Sequence, residues 1–178
     1  RAMVVAARDA QAEAKEQFLT AMEQFKGVVA FLGGDLEREY HKLDATLKDS
    51  EARAVEVRER IAAVEDVSEA LFSEWEGELG QYASSSLRQA SQRKLDATRR
   101  RYTQLLAAMK KAEARLEPAL VPLRDQVLFM KHNLNARAIA GLSDEVVSVQ
   151  ANVDRLVREM ESAITQADAF IAELKAEQ

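Results

Sequence analysis

In a chain of 178 residues, Ala, Glu, Leu, Lys and Arg fill 95 positions, while Gly and Pro together fill eight and Cys none. That balance belongs to long helices. A β-sandwich needs frequent turn residues, thiolate chemistry and disulfides need cysteine, and a nucleic-acid surface needs excess basic charge where this chain carries −5.

The first segment, approximately 2–32, opens weakly and then forms a stripe of Phe18, Met22, Phe25, Val29 and Leu32, ended by Gly33-Gly34. Asp35 is placed to cap a second helix over approximately 35–80. From there the inward positions alternate four and three apart: Leu36, Tyr40, Leu43, Leu47, Ser50, Ala54, Val57, Ile61, Val64, Ser68, Leu71, Trp75. That is the period of a seam between helices packed side by side. From Leu36 to Leu79 such a helix runs about 66 Å at about 1.5 Å per residue. Gly77 and Gly80 loosen its end, and Tyr82 to Ser86 reads as a turn with serine capping.

The third segment, approximately 85–139, carries a seam of Leu95, Thr98, Tyr102, Leu105, Met109, Ala112, Leu116, Ala119 and Leu123, continuing through Val127, Met130 and Leu134. Pro118 and Pro122 sit inside it, so a kink is expected near Leu116 to Leu120. The apolar pattern resumes after a shift of one residue, which argues against a full break. Gly141 stops this segment, and Ser143-Asp144-Glu145 starts a fourth over approximately 143–176. Its seam is Leu142, Val146, Val149, Val153, Leu156, Met160, Ala163, Ala167, Phe170 and Leu174. The expected fold class is all-α. Residues 1–178 should form a single domain, an elongated antiparallel four-helix bundle with a long coiled-coil-like central hairpin whose tip lies at approximately 70–95.

Charge supports that topology. Residues 35–80 carry net −8, residues 81–141 net +8, and residues 142–178 net −5, so the positive segment has a negative one on either side in sequence. The basic run Arg88, Arg93, Lys94, Arg99, Arg100 and Arg101 is expected to lie beside Glu65, Asp66, Glu69, Glu74, Glu76 and Glu78 and to be neutralised mostly within the molecule. Exposed, it would instead be a membrane-surface or polyanion site.

No catalytic, cofactor or metal residues are expected. His41 and His132 are the only histidines, neither follows a Glu by three residues, and there is no Gly-rich phosphate loop. Lys131-His132-Asn133-Leu134-Asn135 reads as a solvated face around Met130 and Leu134, with Asn135 preparing termination; a polar pocket there is the enzymatic alternative. The candidate partner-binding site is the hairpin tip with Leu71, Phe72, Trp75, Leu79, Tyr82 and Leu87. The competing reading has these side chains merely zip the two tip helices together, or lie covered by an N-terminal extension preceding Arg1.

Gly33-Gly34-Asp35-Leu36, Val67 to Phe72 with Glu74-Trp75, Arg99-Arg100 with Tyr102, and Arg124 to Phe129 through Lys131 to Asn135 resemble a bacterial family labelled domain of unknown function twenty-nine fifty-nine. The similarity covers nearly the whole chain, and Arg124 to Ala136 is its most specific part. The resemblance implies a secreted, lipid-anchored protein of the Gram-negative envelope, periplasmic and held at the outer membrane by an anchor that would precede Arg1. It implies no activity and no catalytic residues. The expected function is a non-enzymatic interaction or scaffold module of the cell envelope, with an envelope protein or a second copy as partner. A peripheral membrane or lipid-binding protein is the alternative, and an enzyme using a pocket near His132 comes third.

Overall fold

The computed structural model describes residues 1–31 and 33–177, and within them the chain is all-α, with no strand. Six helices follow one another: α1 (Ala2–Val29), α2 (Leu36–Leu79), α3 (Ser85–Glu113), α4 (Leu116–His132), α5 (Ala136–Ala140) and α6 (Ser143–Ala176).

Helix α1 buries Val4, Ala7, Gln11, Ala14, Phe18, Ala21, Phe25 and Val28, an unbroken alternation of three and four. Its first half looks weak in sequence because the inward side chains there are alanines, which bring the helix close to its neighbours but supply little apolar area. Val28, not Val29, closes the stripe; Val29 is half-buried against the core, and Leu32 lies outside the described residues. The chain then turns through Gly34, whose φ of +107° is a left-handed conformation that side-chain-bearing residues rarely adopt. Asp35 caps α2 as expected, its carboxylate accepting from Arg38 N–H at 3.1 Å.

The seam of α2 holds from Tyr40 to Ser68 and then shifts. Leu71, expected to face inward, is exposed, and Phe72 and Leu79 are the buried side chains of the last turns. Two successive four-residue steps, Val64 to Ser68 to Phe72, cause this. They advance the apolar stripe around the helix and carry Leu71 out of it. Ser84 caps α3, accepting from Leu87 N–H at 3.3 Å.

The third segment is not one helix. Pro118 has no N–H for the carbonyl of Ala114, and its ring crowds that carbonyl, so α3 ends at Glu113 and α4 begins at Leu116. Ala114 and Arg115 stay right-handed, and Arg115 N–H reaches Ala112 at 3.0 Å, so the interruption is a tightened kink just before the expected position. A second break falls at residues 133–135. Asn133 folds its amide back to donate to the Phe129 carbonyl at 2.9 Å, and Asn135 accepts from Ala138 N–H at 2.8 Å. Asn135 thus starts α5; it does not close the helix before it. Leu134, expected on the seam, is exposed, and Ile139 is buried in its place. Ser143 also differs from expectation: it is the first residue of α6, behind Leu142, and makes no capping bond.

Helix α1 packs on α2 and α6, and α3 and α4 pack on the same two helices. Four ion pairs fix the register of α2 against α3 and α4: Glu76–Arg99, Glu65–Lys110, Arg58–Glu117 and Glu51–Arg124. Every step back along α2 is matched by an equal step forward along α3 and α4. The two run antiparallel, and the kink at Ala114–Arg115 does not cost a residue of register. Arg53–Glu13 relates α2 to α1, Arg8–Asp168 relates α1 to α6, and Lys111–Glu159 relates α3 to α6. Inside these contacts one apolar cluster runs from Val4 and Phe18 through Leu43, Ile61, Met109 and Leu123 to Met160 and Phe170.

Glu117 bridges α2 and α4 immediately after the kink, accepting from Arg58 at 2.9 Å and from Arg124 at 3.1 Å. The Arg124 hydrogen bond above all holds its carboxyl below the usual carboxylate range. A depressed folded-state pKa adds stability above the unfolded pKa and loses it as pH falls through the folded value. The side chain is half exposed, so the contribution is at most about 1 kcal/mol. Chemical denaturation of Glu117→Gln should show a small loss at neutral pH that vanishes once acid has protonated the wild-type carboxylate.

Candidate functional site at the hairpin tip

Counting equally along the antiparallel pair from Arg53–Glu13 puts Ala2, the first residue of α1, level with Val64 of α2. The last ion pairs from α6 reach α3 at Arg101, which meets Glu177 at 3.0 Å and Glu173 at 3.6 Å. Towards the turn at residues 80–84, α2 and α3 pack against each other as a hairpin. Its own small core is Phe72, Leu79 and Leu95, with Trp75 and Tyr102 packed against it.

The six tip residues divide into two groups. Phe72 and Leu79 are buried, and Trp75 is half-buried with its indole N–H donating to Ser91 Oγ at 2.8 Å. Phe72 meets Tyr102 edge-on at 5.5 Å between centroids, and Tyr102 in turn meets Phe170 of α6 at 4.7 Å. These aromatics zip the hairpin and root it on α6, so burial pushes the Tyr102 phenol up. Leu71, Tyr82 and Leu87 are free, with 42%, 42% and 59% of their surfaces exposed. Val67, one turn before Leu71 and 47% exposed, joins them; sequence reading missed it, although the Val67–Leu71 spacing could have found it.

On one side of the hairpin the ladder of ion pairs is interrupted. Between Glu65–Lys110 and Glu76–Arg99 the flanking positions are Glu69, Phe72, Thr103 and Leu106, and they line a groove of about 530 Å³. Arg99 closes one end with its guanidinium 5.4 Å from the centroid of the Phe72 ring.

The charge expectation for the tip is corrected. Of the basic run, Arg99 pairs with Glu76 and Arg101 with the end of α6, while Arg88, Arg93, Lys94 and Arg100 make no ion pair among the described residues. Asp66, Glu69, Glu74 and Glu78 make none either. Only side chains on the groove-side flank of each helix reach across the seam. Glu74, Glu78, Arg93 and Arg100 point elsewhere and are exposed.

At the opposite end of the molecule Lys131, His132 and Asn135 are exposed, while Met130 is buried. His41 lies 3.6 Å from Glu37 on the same helix. Among the described residues no group of three or more His, Asp or Glu side chains is arranged to hold a metal ion. Among the described residues no helix is long and apolar enough to cross a membrane.

A family model described as protein of unknown function (DUF2959) matches residues 2–174. No curated protein matches the chain.

Proposed function

The chain belongs to the DUF2959 family of unknown function, and from that premise we propose that it is a non-enzymatic interaction module of the bacterial cell envelope. In this reading the helices form an elongated antiparallel four-helix bundle, held on the periplasmic side of the outer membrane. The bundle presents its α2–α3 tip to a protein partner. The observation that carries the proposal is the exposure of Leu71, Tyr82 and Leu87 on the α2–α3 hairpin. Exposed apolar groups set on a rigid hairpin and rimmed by charge are what a protein interface uses at its centre.

The test is capture from native envelope membranes by the full-length protein, comparing wild type with a Leu71→Ser/Leu87→Ser variant. Both side chains are exposed, so the helical spectrum and melting temperature should be retained. Loss of a central anchor commonly costs at least about 2 kcal/mol, which is about thirtyfold in affinity. Retention of the partner should fall accordingly; undiminished capture by the folded variant would contradict the proposal.

A second reading follows from the unpaired cations Arg88, Arg93, Lys94 and Arg100: a peripheral protein held to anionic lipid. Asp66, Glu69, Glu74 and Glu78 on the neighbouring helix oppose it. Sedimentation with anionic vesicles that weakens as salt rises would favour it.

A further inference from the structure

We propose that the groove between α2 and α3 binds a small organic cation, an ammonium or amidinium on a short apolar body, with the charge at Glu69 and the body against Phe72, Tyr102 and Leu106. This goes beyond the reading of the tip as a docking surface, because none of Leu71, Tyr82 and Leu87 lines the groove.

Small side chains make the space. Along the α2 seam Ser68 stands between Val64 and Phe72, and its hydroxyl turns back to donate to the Glu65 carbonyl at 2.9 Å. Counting from Glu65–Lys110 and Glu76–Arg99 puts Ser68 level with Ala107, Phe72 with Thr103 and Glu69 with Leu106. Two short side chains therefore face each other, and the groove of about 530 Å³ falls within the range of small-molecule sites. Buried Phe72 and half-buried Tyr102 and Leu106 give it an apolar floor. The two ion pairs shut its ends about 16 Å apart along α2, a length that suits a short ligand and not a peptide running along the helices. Arg53 marks the α1 flank of α2, and Arg101 marks the α6 flank of α3. Glu65, Glu69 and Glu76 lie about 120–160° from Arg53, and Leu106, Arg99 and Lys110 lie about 140–180° from Arg101. The groove thus opens away from α1 and α6, and the lengths of those helices do not bear on it.

Charge chooses the occupant. Three carboxylates, Glu65, Glu69 and Glu76, and two cations, Arg99 and Lys110, line the groove. Both cations are held, Lys110 by Glu65 at 2.6 Å and Arg99 by Glu76, so an entering anion would have to break a pair. Glu69 makes no ion pair among the described residues. The Lys110 ammonium is held above its usual pKa by its hydrogen bond to Glu65 first and by the charge of Glu69 last, so the Glu69 carboxylate stands on the groove side of α2. One negative charge is therefore left beside an apolar floor. A bare metal ion would gain nothing from that floor, whereas an amphiphilic cation uses both. A half-exposed charge contact adds little affinity, so the apolar body supplies the binding and Glu69 selects the sign.

Titration of the full chain with phenethylammonium, followed by amide shifts in two-dimensional NMR, is the test. Shifts should centre on residues 68–73 and 102–107 and saturate with a dissociation constant of about 1 mM, the scale for so small a ligand. Phenethyl alcohol, nearly the same shape without the charge, should bind about threefold more weakly, and hydrocinnamate should not saturate. Nα-acetyl-lysine amide, an ammonium on a peptide backbone, should bind at least about threefold more weakly than the free amine, because its amides lose water against the apolar floor. Glu69→Gln should abolish the preference for amine over alcohol and leave the alcohol's affinity unchanged. Ala107→Leu should fill the groove and weaken amine and alcohol alike by at least about fivefold. Both positions are exposed, so both variants should melt with the wild type. The four-ligand comparison on the wild type decides the matter even if a variant unfolds. The absence of saturable shifts in the groove, equal affinity for amine and alcohol, or tighter binding of hydrocinnamate would each overturn the proposal. So would a lysine amide that binds as well as the free amine, or a preference for the amine that survives Glu69→Gln.

Discussion

Replacing Phe18 by alanine should lower the unfolding free energy by about 3–5 kcal/mol, the range for large aromatics removed from packed interiors. Phe18 has 0% of its surface exposed and lies midway along the α1 seam. Its inward neighbours before and after, Ala14 and Ala21, are too small to swing into the space. Most of the cavity would therefore remain, and the cost should fall towards the upper end of the range. At about 2–4 °C per kcal/mol for a chain of this size, the melting temperature should drop by about 6–20 °C. The same change at Phe72 should behave differently, because that ring belongs to the three-residue tip cluster. It should loosen the hairpin, quench the Trp75–Ser91 ordering and leave the unfolding of the body little altered. A global melt depressed equally by both substitutions would mean that the tip and the body share one core.

The second large effect runs in the other direction. Gln11 is fully buried on the α1 seam; its amide N–H donates to the Ala7 carbonyl at 3.3 Å, and its Oε1 has no hydrogen-bond partner among the described residues. A buried polar atom left unpaired costs about 1–3 kcal/mol. Methionine has nearly the same length and flexibility without the amide. Gln11→Met should therefore raise stability by about 1–2 kcal/mol, read as a higher denaturant midpoint with an unchanged slope. A lower midpoint would show that the amide is satisfied in solution and that the seam needs it there.

Much of this architecture is legible in the spacing of apolar residues. The fourth seam is the clearest case: each of its ten positions from Leu142 to Leu174 is buried or half-buried. Periodicity works there because α6 has neighbours along its length and keeps one inward direction. It misleads where the direction changes. Leu71 and Phe72 are both plausible seam residues in sequence, and only the preceding pair of four-residue steps turns Phe72 inward. Leu134 continues a regular count, but Asn133 ends the helix locally before the count can apply. Pro118 announces a kink, and the kink falls at the carbonyl four residues earlier, because that is the group the ring meets. Sequence spacing sets the tip residues around one turn, but their division into zipping and exposed sets depends on which flank each occupies. The same holds for charge. Composition identifies an acidic helix beside a basic one, but only the flank facing the groove forms ion pairs between the two, and Glu74, Glu78, Arg93 and Lys94 make none among the described residues.

The central claim is that the tip, and not the body, meets another protein. A photo-crosslinking amino acid placed at Leu71 in the full-length protein, irradiated in intact cells, tests it most directly. Val147, on α6 and 77% exposed, provides the control position. The account predicts discrete protein adducts from position 71 and none from position 147, with the Leu71 adducts weakened when Leu87 is changed to Ser. Equal adducts from both positions, or none from position 71 while position 147 crosslinks, would contradict it.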